Sequence, residues 1–320
     1  MYNSWEYPND VGAGCNVKSP QDSDNLLSFL QELRAAGPNL TLSAATQIFT
    51  PLDANTQRMT NVSGFAQVLD YVEIMNYDVW GSWSSSVGPN SPLNDTCAPK
   101  NDQQGSAVAG LQNWVNAGMP ANQIVLGVAS YGHSTFVSSA NATAGIGSGV
   151  DSTASNTRPS GTTPITLYAG FDSTRSTLGD SWDSLPASTK PVLDDCGQLV
   201  TPAPDGIFNF VGMVEMGILD NNGTVKPGFG FVYDDCSQTV RFCSLIVREL
   251  VLTLLLQPFV YVAENNTMIS YDDPTSFAAK GKFIAEQGLR GFAMWEAAGD
   301  YNDLLVDSIL SAIGVDEVGC

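Results

Sequence analysis

A parallel β/α architecture is what this 320-residue sequence predicts, and two observations predict it. Short apolar runs rich in β-formers alternate with amphipathic helical stretches up to residue 133 and again from 272 onward, the pattern of a parallel sheet covered by helices. Between Ser134 and Tyr271 the alternation fails, and the chain is rich in Ser, Thr, Gly and Pro with short β-like runs, which reads as an inserted subdomain.

The first element is a helix, with Ser19 as N-cap, Pro20 at the first helical position, Leu26, Leu27, Leu30 and Leu33 on one face, and Gly37-Pro38 ending it. NLTLSAATQIF, from Asn39 to Phe49, is a short apolar run that reads as a buried strand. LDYVEIMNYD, from Leu69 to Asp78, repeats that character and runs into a Gly-, Ser-, Trp- and Pro-rich loop from Gly81 to Pro99. A helix over Ser106 to Ala117 follows, with Val108, Leu111, Trp114 and Val115 inward and Gly118 past its end. QIVLGVASYG, Gln123 to Gly132, is a third buried strand. Beyond the insertion, Asp273-Pro274 start a helix that runs to Gln287, and LRGFAMWE, Leu289 to Glu296, is a strand. A last helix carries Leu305, Val306, Ile309, Leu310 and Ile313.

Composition narrows the function classes. Thirteen basic against 33 acidic residues give a net charge of -20, which repels phosphate backbones and anionic headgroups and excludes nucleic acid as a natural partner. Only 14% of residues are charged, while small polar residues abound, as in secreted proteins that meet neutral polar ligands. Sequons at Asn39, Asn61, Asn94, Asn141, Asn222 and Asn265 point the same way. The six cysteines have no metal-ligand spacing and suit disulfides in an oxidising compartment. No signal peptide opens the chain, so a secreted setting implies a start upstream of Met1. VRFCSLIVRELVLTLLLQ, Val240 to Gln257, is interrupted by Arg241, Arg248 and Glu249 and is a poor membrane span; a buried helix is its plain reading.

Reactive groups of a β/α barrel gather at the C-terminal ends of its strands, where the loops converge on one face. Reading each strand to that end gives Glu6, Tyr77 and Asp78, Tyr131, and Trp295 with Glu296. Singly, a tryptophan there is ordinarily core and an aspartate ordinarily a helix cap. Jointly, carboxylates, phenols and an indole suit a sugar, whose C–H faces stack on aromatics and whose hydroxyls and acetamides meet acids. His133, the single histidine, reads as a satisfied polar residue, since no serine and acid are located for a triad.

The motifs WEYP, MNYD at 75–78 followed by Gly81 and Trp83, LGVASYG at 126–132, YDDPTSFAAKGKFI from Tyr271 and GFAMWEAAGD at 291–300 resemble glycoside hydrolase family 18 chitinases of the secreted fungal type. The resemblance implies a TIM (β/α)8 barrel with an α+β insertion, incomplete here, strands one to three being absent. It divides the chain into a barrel part at 1–133, the insertion at 134–271 and the barrel end at 272–320. It implies hydrolysis of β-1,4-linked N-acetylglucosamine in chitin or chito-oligosaccharides, assisted by the substrate's acetamide, with no metal, no cofactor and no membrane. By position Glu6 is the acid, Tyr77 and Asp78 contact the acetamide, and Met75, Trp83, Tyr131 and Trp295 bind substrate, with Trp295 the floor. Disulfides are expected between Cys15 and Cys97 and between Cys196 and Cys236.

Three positions depart from the family's pattern. The family's assisting aspartate falls on Ser4 and the aspartate before it on Tyr2, and His133 stands where the family often has arginine. Loss of the assisting carboxylate favours, for this chain, a lectin-like chitin binder without turnover, or a nonfunctional fragment. Residues 1–4 are accordingly read as a translated intron tail or false start, which transcript sequencing tests. Joining Thr239 to Pro258 restores a run resembling the family's, so 240–257 also reads as a retained intron.

Overall fold

The computed structural model describes the chain except for residues 1, 4, 13–15, 97, 99, 101–102, 145–158, 184–189, 195, 202, 235–256 and 316–320. In chain order its elements are β1 (Tyr2–Asn3), α1 (Asp22–Ala36), β2 (Ser43–Thr46), α2 (Ser63–Val68), β3 (Tyr71–Ile74), α3 (Ala107–Asn116), β4 (Ile124–Ala129), β5 (Tyr131–Phe136) and α4 (Ser139–Ala142). Then come β6 (Thr163–Pro164), β7 (Val192–Leu193), β8 (Leu199–Val200), β9 (Ile207–Asn209), α5 (Phe210–Glu215), β10 (Gly230–Asp234), β11 (Gln257–Val262) and β12 (Thr267–Ser270). The chain closes with α6 (Pro274–Gln287), β13 (Gly291–Trp295) and α7 (Leu304–Ile313).

Five strands form one all-parallel sheet in the order β1-β2-β3-β4-β13, with β1 and β13 at its edges. All six residues of β4 are buried, as a central strand covered on both faces requires. Helices pack outside it, and the core they share includes Leu30, Val72, Ile74, Trp114, Leu126, Phe277 and Ile309. Gly127 is where β4 closes on β3: a Cβ there would lie 2.6 Å from the Ile74 carbonyl oxygen and 2.9 Å from the Tyr77 ring. The second sheet, β6-β10-β11-β12-β5-β9, is antiparallel apart from the β6 pair and has its own core of Val137, Ile165, Phe259 and Met268. β7 and β8 form a separate hairpin.

The alternating elements lie where their apolar runs predict, and the differences have local causes. Helix α1 starts at Asp22, not next to Ser19, because the Asp22 carboxylate itself accepts the Ser19 and Asn9 amides and closes the turn before the helix. Val115 faces solvent at 41% exposure, while Ala107, Gly110, Leu111 and Trp114 make the buried face of α3. QIVLGVASYG is two strands: at Ser130 the chain leaves the parallel sheet, its amide and hydroxyl bonding the carbonyls of Trp295 (2.9 Å) and Glu296 (2.5 Å), and Tyr131 opens the second sheet. Of the sequon asparagines, Asn94 is buried and accepts the Thr96 amide on its side-chain oxygen, while the other five are exposed. Cys196 is disulfide-bonded. Cys15, Cys97 and Cys236 lie outside the described residues, as do 240–256; Gln257 begins β11, fully buried. Among the described residues no helix is long and apolar enough to cross a membrane.

Helix α6 is fixed at both ends by the groups its sequence supplies. Asp273 and Ser276 form a reciprocal capping box, and Gly288 ends the helix in the left-handed conformation. Burial pushes the Asp273 carboxyl up to about 6, against the hydrogen bonds of the Tyr233 hydroxyl and the Ser276 amide. The unfolded chain releases this proton near 3.8, so the folded state binds more protons in between. The contribution of Asp273 to stability is therefore full below 3.8, falls as pH rises towards 6, and stays low above it. Asp273→Asn keeps an acceptor for the cap and carries no charge. The difference in unfolding free energy between variant and wild type is expected to shift in the variant's favour by a few kcal/mol (about 1.4 per pH unit) between pH 4 and 7, as urea titrations at both pH values would measure.

Candidate functional site

Where β3 ends, the chain turns through Met75, Asn76, Tyr77 and Asp78, and a second segment holds it there. Asn90, fully buried, accepts the Asp78 amide on its side-chain oxygen (2.9 Å), accepts the Val79 amide on its backbone oxygen (3.0 Å) and donates to the Tyr131 carbonyl (2.9 Å). The Ser91 hydroxyl donates to the Asn76 carbonyl (2.6 Å), and the Asn76 amide group donates to the Pro92 carbonyl (3.1 Å). Behind them the Lys280 ammonium of α6 reaches the Ser91 hydroxyl and the Asp272 carboxylate, each at 2.7 Å, with lysine and aspartate side chains both fully buried. So clamped, Asp78 adopts a left-handed φ of 54°, a conformation that aspartate tolerates better than most residues.

Asp78 is the centre of the site's electrostatics. The buried Tyr131 hydroxyl donates to its Oδ1 at 2.6 Å and His133 Nε2 lies 2.7 Å from the same oxygen. Its carboxylate remains 51% exposed on the other side. Burial alone would raise the Asp78 carboxyl; the hydrogen bond and charge of His133 and the Tyr131 hydroxyl outweigh it and hold the group below the usual range. Tyr131 is pushed far up by burial and by Asp78, so its hydroxyl stays a donor. Rings knit the same cluster edge to face: Tyr77 on Tyr131 (6.2 Å), Tyr131 on His133 (5.8 Å) and Trp83 on His133 (5.5 Å).

Glu6, Met75, Tyr77, Asp78, Tyr131 and Trp295 line one open trough of about 800 Å3 at the C-terminal edge of the parallel sheet. Glu6 is exposed at one side and Trp295, 62% exposed, at the other. Trp83 lies in an adjoining cleft of about 1320 Å3, and Asp78, Tyr131 and Trp295 line both, so the two are one continuous groove. Glu296 also lines the adjoining cleft.

Several groups at this site escape a strand-end reading. Tyr7 lines the trough, with its phenol pushed up to about 12 by burial and by the charges of Glu6, Asp78 and Asp10. Gln47, Phe49 and Arg58 enter from the loop after β2, which follows a strand end and so carried a usable signal. Burial pulls the Arg58 guanidinium down, against the charge of Asp10. His133 is satisfied, as expected of it, but its partner is the site carboxylate. Asn90 had no signal beyond a Pro- and Gly-rich loop. Asn90→Ala strands the Asp78 amide and the Tyr131 carbonyl. It is expected to cost about 2–3 kcal/mol in urea unfolding and to weaken ligand binding in the trough.

Residues 4–300 match the sequence model described as Glycosyl hydrolases family 18. A chitinase-like effector of Moniliophthora roreri is 44% identical over 97% of this chain and 66% of its own length. A second, from Moniliophthora perniciosa, is 40% identical over 98% of this chain and 62% of its own length. The chain thus spans about two thirds of these relatives. Among solved structures, a chitinase of Rhizomucor miehei superposes with a TM-score of 0.75 at 25% identity, over 98% of this chain and 72% of that one. A chitinase of Cycas revoluta shares the fold at a TM-score of 0.61 and 20% identity, over 98% of this chain and 67% of that one. The architecture is accordingly TIM-barrel-like, with a sheet that hydrogen bonds do not close among the described residues.

Proposed function

The chain belongs to family 18 of the glycosyl hydrolases, and we propose from that premise that its trough takes β-1,4-linked N-acetylglucosamine chains as a chitinase-type site. The observation that carries this reading is the hydrogen bonding of Asp78. Its Oδ1 already meets Tyr131 and His133, while its Oδ2 has no partner among the described residues. An ionised carboxylate only accepts, so its second oxygen selects a donor such as an acetamide N–H. Tyr77 stands beside it to bind the same group, and the exposed Trp295 floors the pocket with an apolar ring face. Glu6 gives its proton to the leaving glycosidic oxygen as the C–O bond breaks. The acetamide oxygen of the substrate attacks the anomeric carbon, and water opens the resulting oxazolinium, returning a proton to Glu6. This chemistry draws on no metal or organic cofactor.

Ser4 supports a second reading. A carboxylate two residues before the acid would face the positive charge that develops on the oxazolinium, and serine supplies none. A lectin-like binder that holds oligomers without turning them over fits that replacement, and the Moniliophthora relatives are themselves described as chitinase-like effectors. Reducing-sugar release from N-acetylglucosamine oligomers, measured beside binding on the same preparation, separates the readings. Release with binding supports the hydrolase and binding alone the lectin; the absence of both overturns each.

On the same reading the five parallel strands are the fourth to eighth of an eight-stranded barrel, and the two sheet edges and the longer relatives support this. The second sheet, whose strands fall between residues 131 and 270 apart from the separate hairpin, supports an insertion at 134–271. We place the protein outside the cell, on the five exposed sequons and the Cys196 disulfide.

A further inference from the structure

The protein has six tryptophans, and three of them are more than half exposed: Trp83 at 63%, Trp182 at 62% and Trp295 at 62%. All three line the same cleft. Trp83 and Trp295 belong to the site described above, but Trp182 comes from the second-sheet region, far from the strand-end motifs in sequence. An indole that size is ordinarily kept from water unless something covers it.

The short turn that carries Trp182 is not loose. The buried Asp180 carboxylate accepts the Trp182 amide (2.8 Å) on one oxygen and the Asn209 amide (2.6 Å) on the other, and its own amide donates to the Ile207 carbonyl (2.9 Å). Asp183 accepts the amides of Gly179 (2.7 Å), Asp205 (3.2 Å) and Gly206 (3.2 Å). Both aspartates therefore staple the turn to β9 or to the residues just before it. β9 in turn pairs with β5 in the register Tyr131 to Asn209 and His133 to Ile207, the strand that presents Tyr131 and His133 to Asp78. One strand pair thus fixes the backbone that carries the exposed indole relative to the site. The exposed Val192 and Val200 of the β7-β8 hairpin stand on the wall of the same groove.

We propose that Trp182 is a second stacking platform, which binds the distal pyranose units of longer N-acetylglucosamine chains whose reactive end occupies the Asp78 trough. The inference rests on the saccharide reading of that trough and adds to it a preference for chain length. A turn whose backbone is held in place beforehand has less freedom to lose on binding. Short oligomers that fill only the trough do not reach it.

The test is calorimetric titration of the full chain with the N-acetylglucosamine trimer and hexamer. Wild type is expected to bind the hexamer more tightly than the trimer. Trp182→Ala is expected to weaken the hexamer about tenfold, the equivalent of about 1.4 kcal/mol, and to leave the trimer unchanged, which also reports an intact fold. Trp182→Phe, which keeps a ring face, is expected to recover most of the loss. Hexamer affinity that survives Trp182→Ala, or an equal loss for both oligomers, overturns the inference while the trough reading stands. Wild type that binds neither oligomer overturns the trough reading, and this inference with it.

Discussion

Ser4→Asp is expected to raise reducing-sugar release from N-acetylglucosamine oligomers by about a hundredfold or more. Position 4 directly follows β1, which pairs with β2 through Tyr2 and Asn3, and it precedes Glu6 by two residues. A carboxylate introduced there would supply the negative charge that the oxazolinium step calls for. Groups of this kind, aimed at charge that develops only in the transition state, are worth about 100- to 1000-fold in rate. Because the charge is absent in the ground state, oligomer affinity should change little, and the effect should fall on kcat. Glu6→Gln added to the same variant should abolish the gain and bring release to the original level or below, since the leaving oxygen then has no proton donor. Unchanged release with binding intact would count against the hydrolase reading and leave the lectin-like one.

Lys280→Met should be the most destabilising single change outside the groove, lowering the unfolding free energy by about 3–5 kcal/mol. The ammonium and the Asp272 carboxylate are 2.7 Å apart with no solvent on either side chain, and Asp272 Oδ2 has no hydrogen-bond partner among the described residues. Burial lowers the Lys280 pKa, while the charge and hydrogen bond of Asp272 oppose it. Removing the lysine therefore leaves a carboxylate buried with nothing to neutralise it. Replacing both, as Asp272→Leu with Lys280→Met, should cost less than the single change, because no charge is then stranded. Urea unfolding at pH 7 decides: a loss under about 1 kcal/mol for Lys280→Met would mean that water reaches Asp272. The single variant should also weaken oligomer binding, since Lys280 holds Ser91 and Ser91 holds the carbonyl beside Tyr77.

Much of this arrangement was legible from strand ends. Parallel strands deliver their C-terminal residues to one face whatever the details of packing, so Tyr77, Asp78, Tyr131 and Trp295 could be placed together from sequence spacing alone. What spacing does not reveal is which loop returns to support them. Asn90 lies twelve residues beyond Asp78 in a stretch that reads only as turns, and its three bonds exist because the loop doubles back along 76–79. The break at Ser130 was hidden for a related reason: both halves of QIVLGVASYG are buried, so periodicity sees one strand where the chain serves two sheets. Trp182 escapes such a reading because its loop is polar and irregular, and it is the Asp180 and Asp183 bonds that join it to β9 and to the residue before it. Val115 reads as inward because it follows Leu111 by four residues and Val108 by seven, whereas the buried face runs through Ala107, Gly110, Leu111 and Trp114, with Gly110 letting α3 approach the Ile48 backbone.

The parallel sheet has a direction as well as two ends. β13 is half-exposed along its length, unlike β4 beside it, and β1 offers the opposite edge. An edge strand carries backbone N–H and C=O groups that only another strand satisfies in full. On the barrel reading, further parallel strands would have to seat against β13 on one side and β1 on the other, satisfying both edges at once.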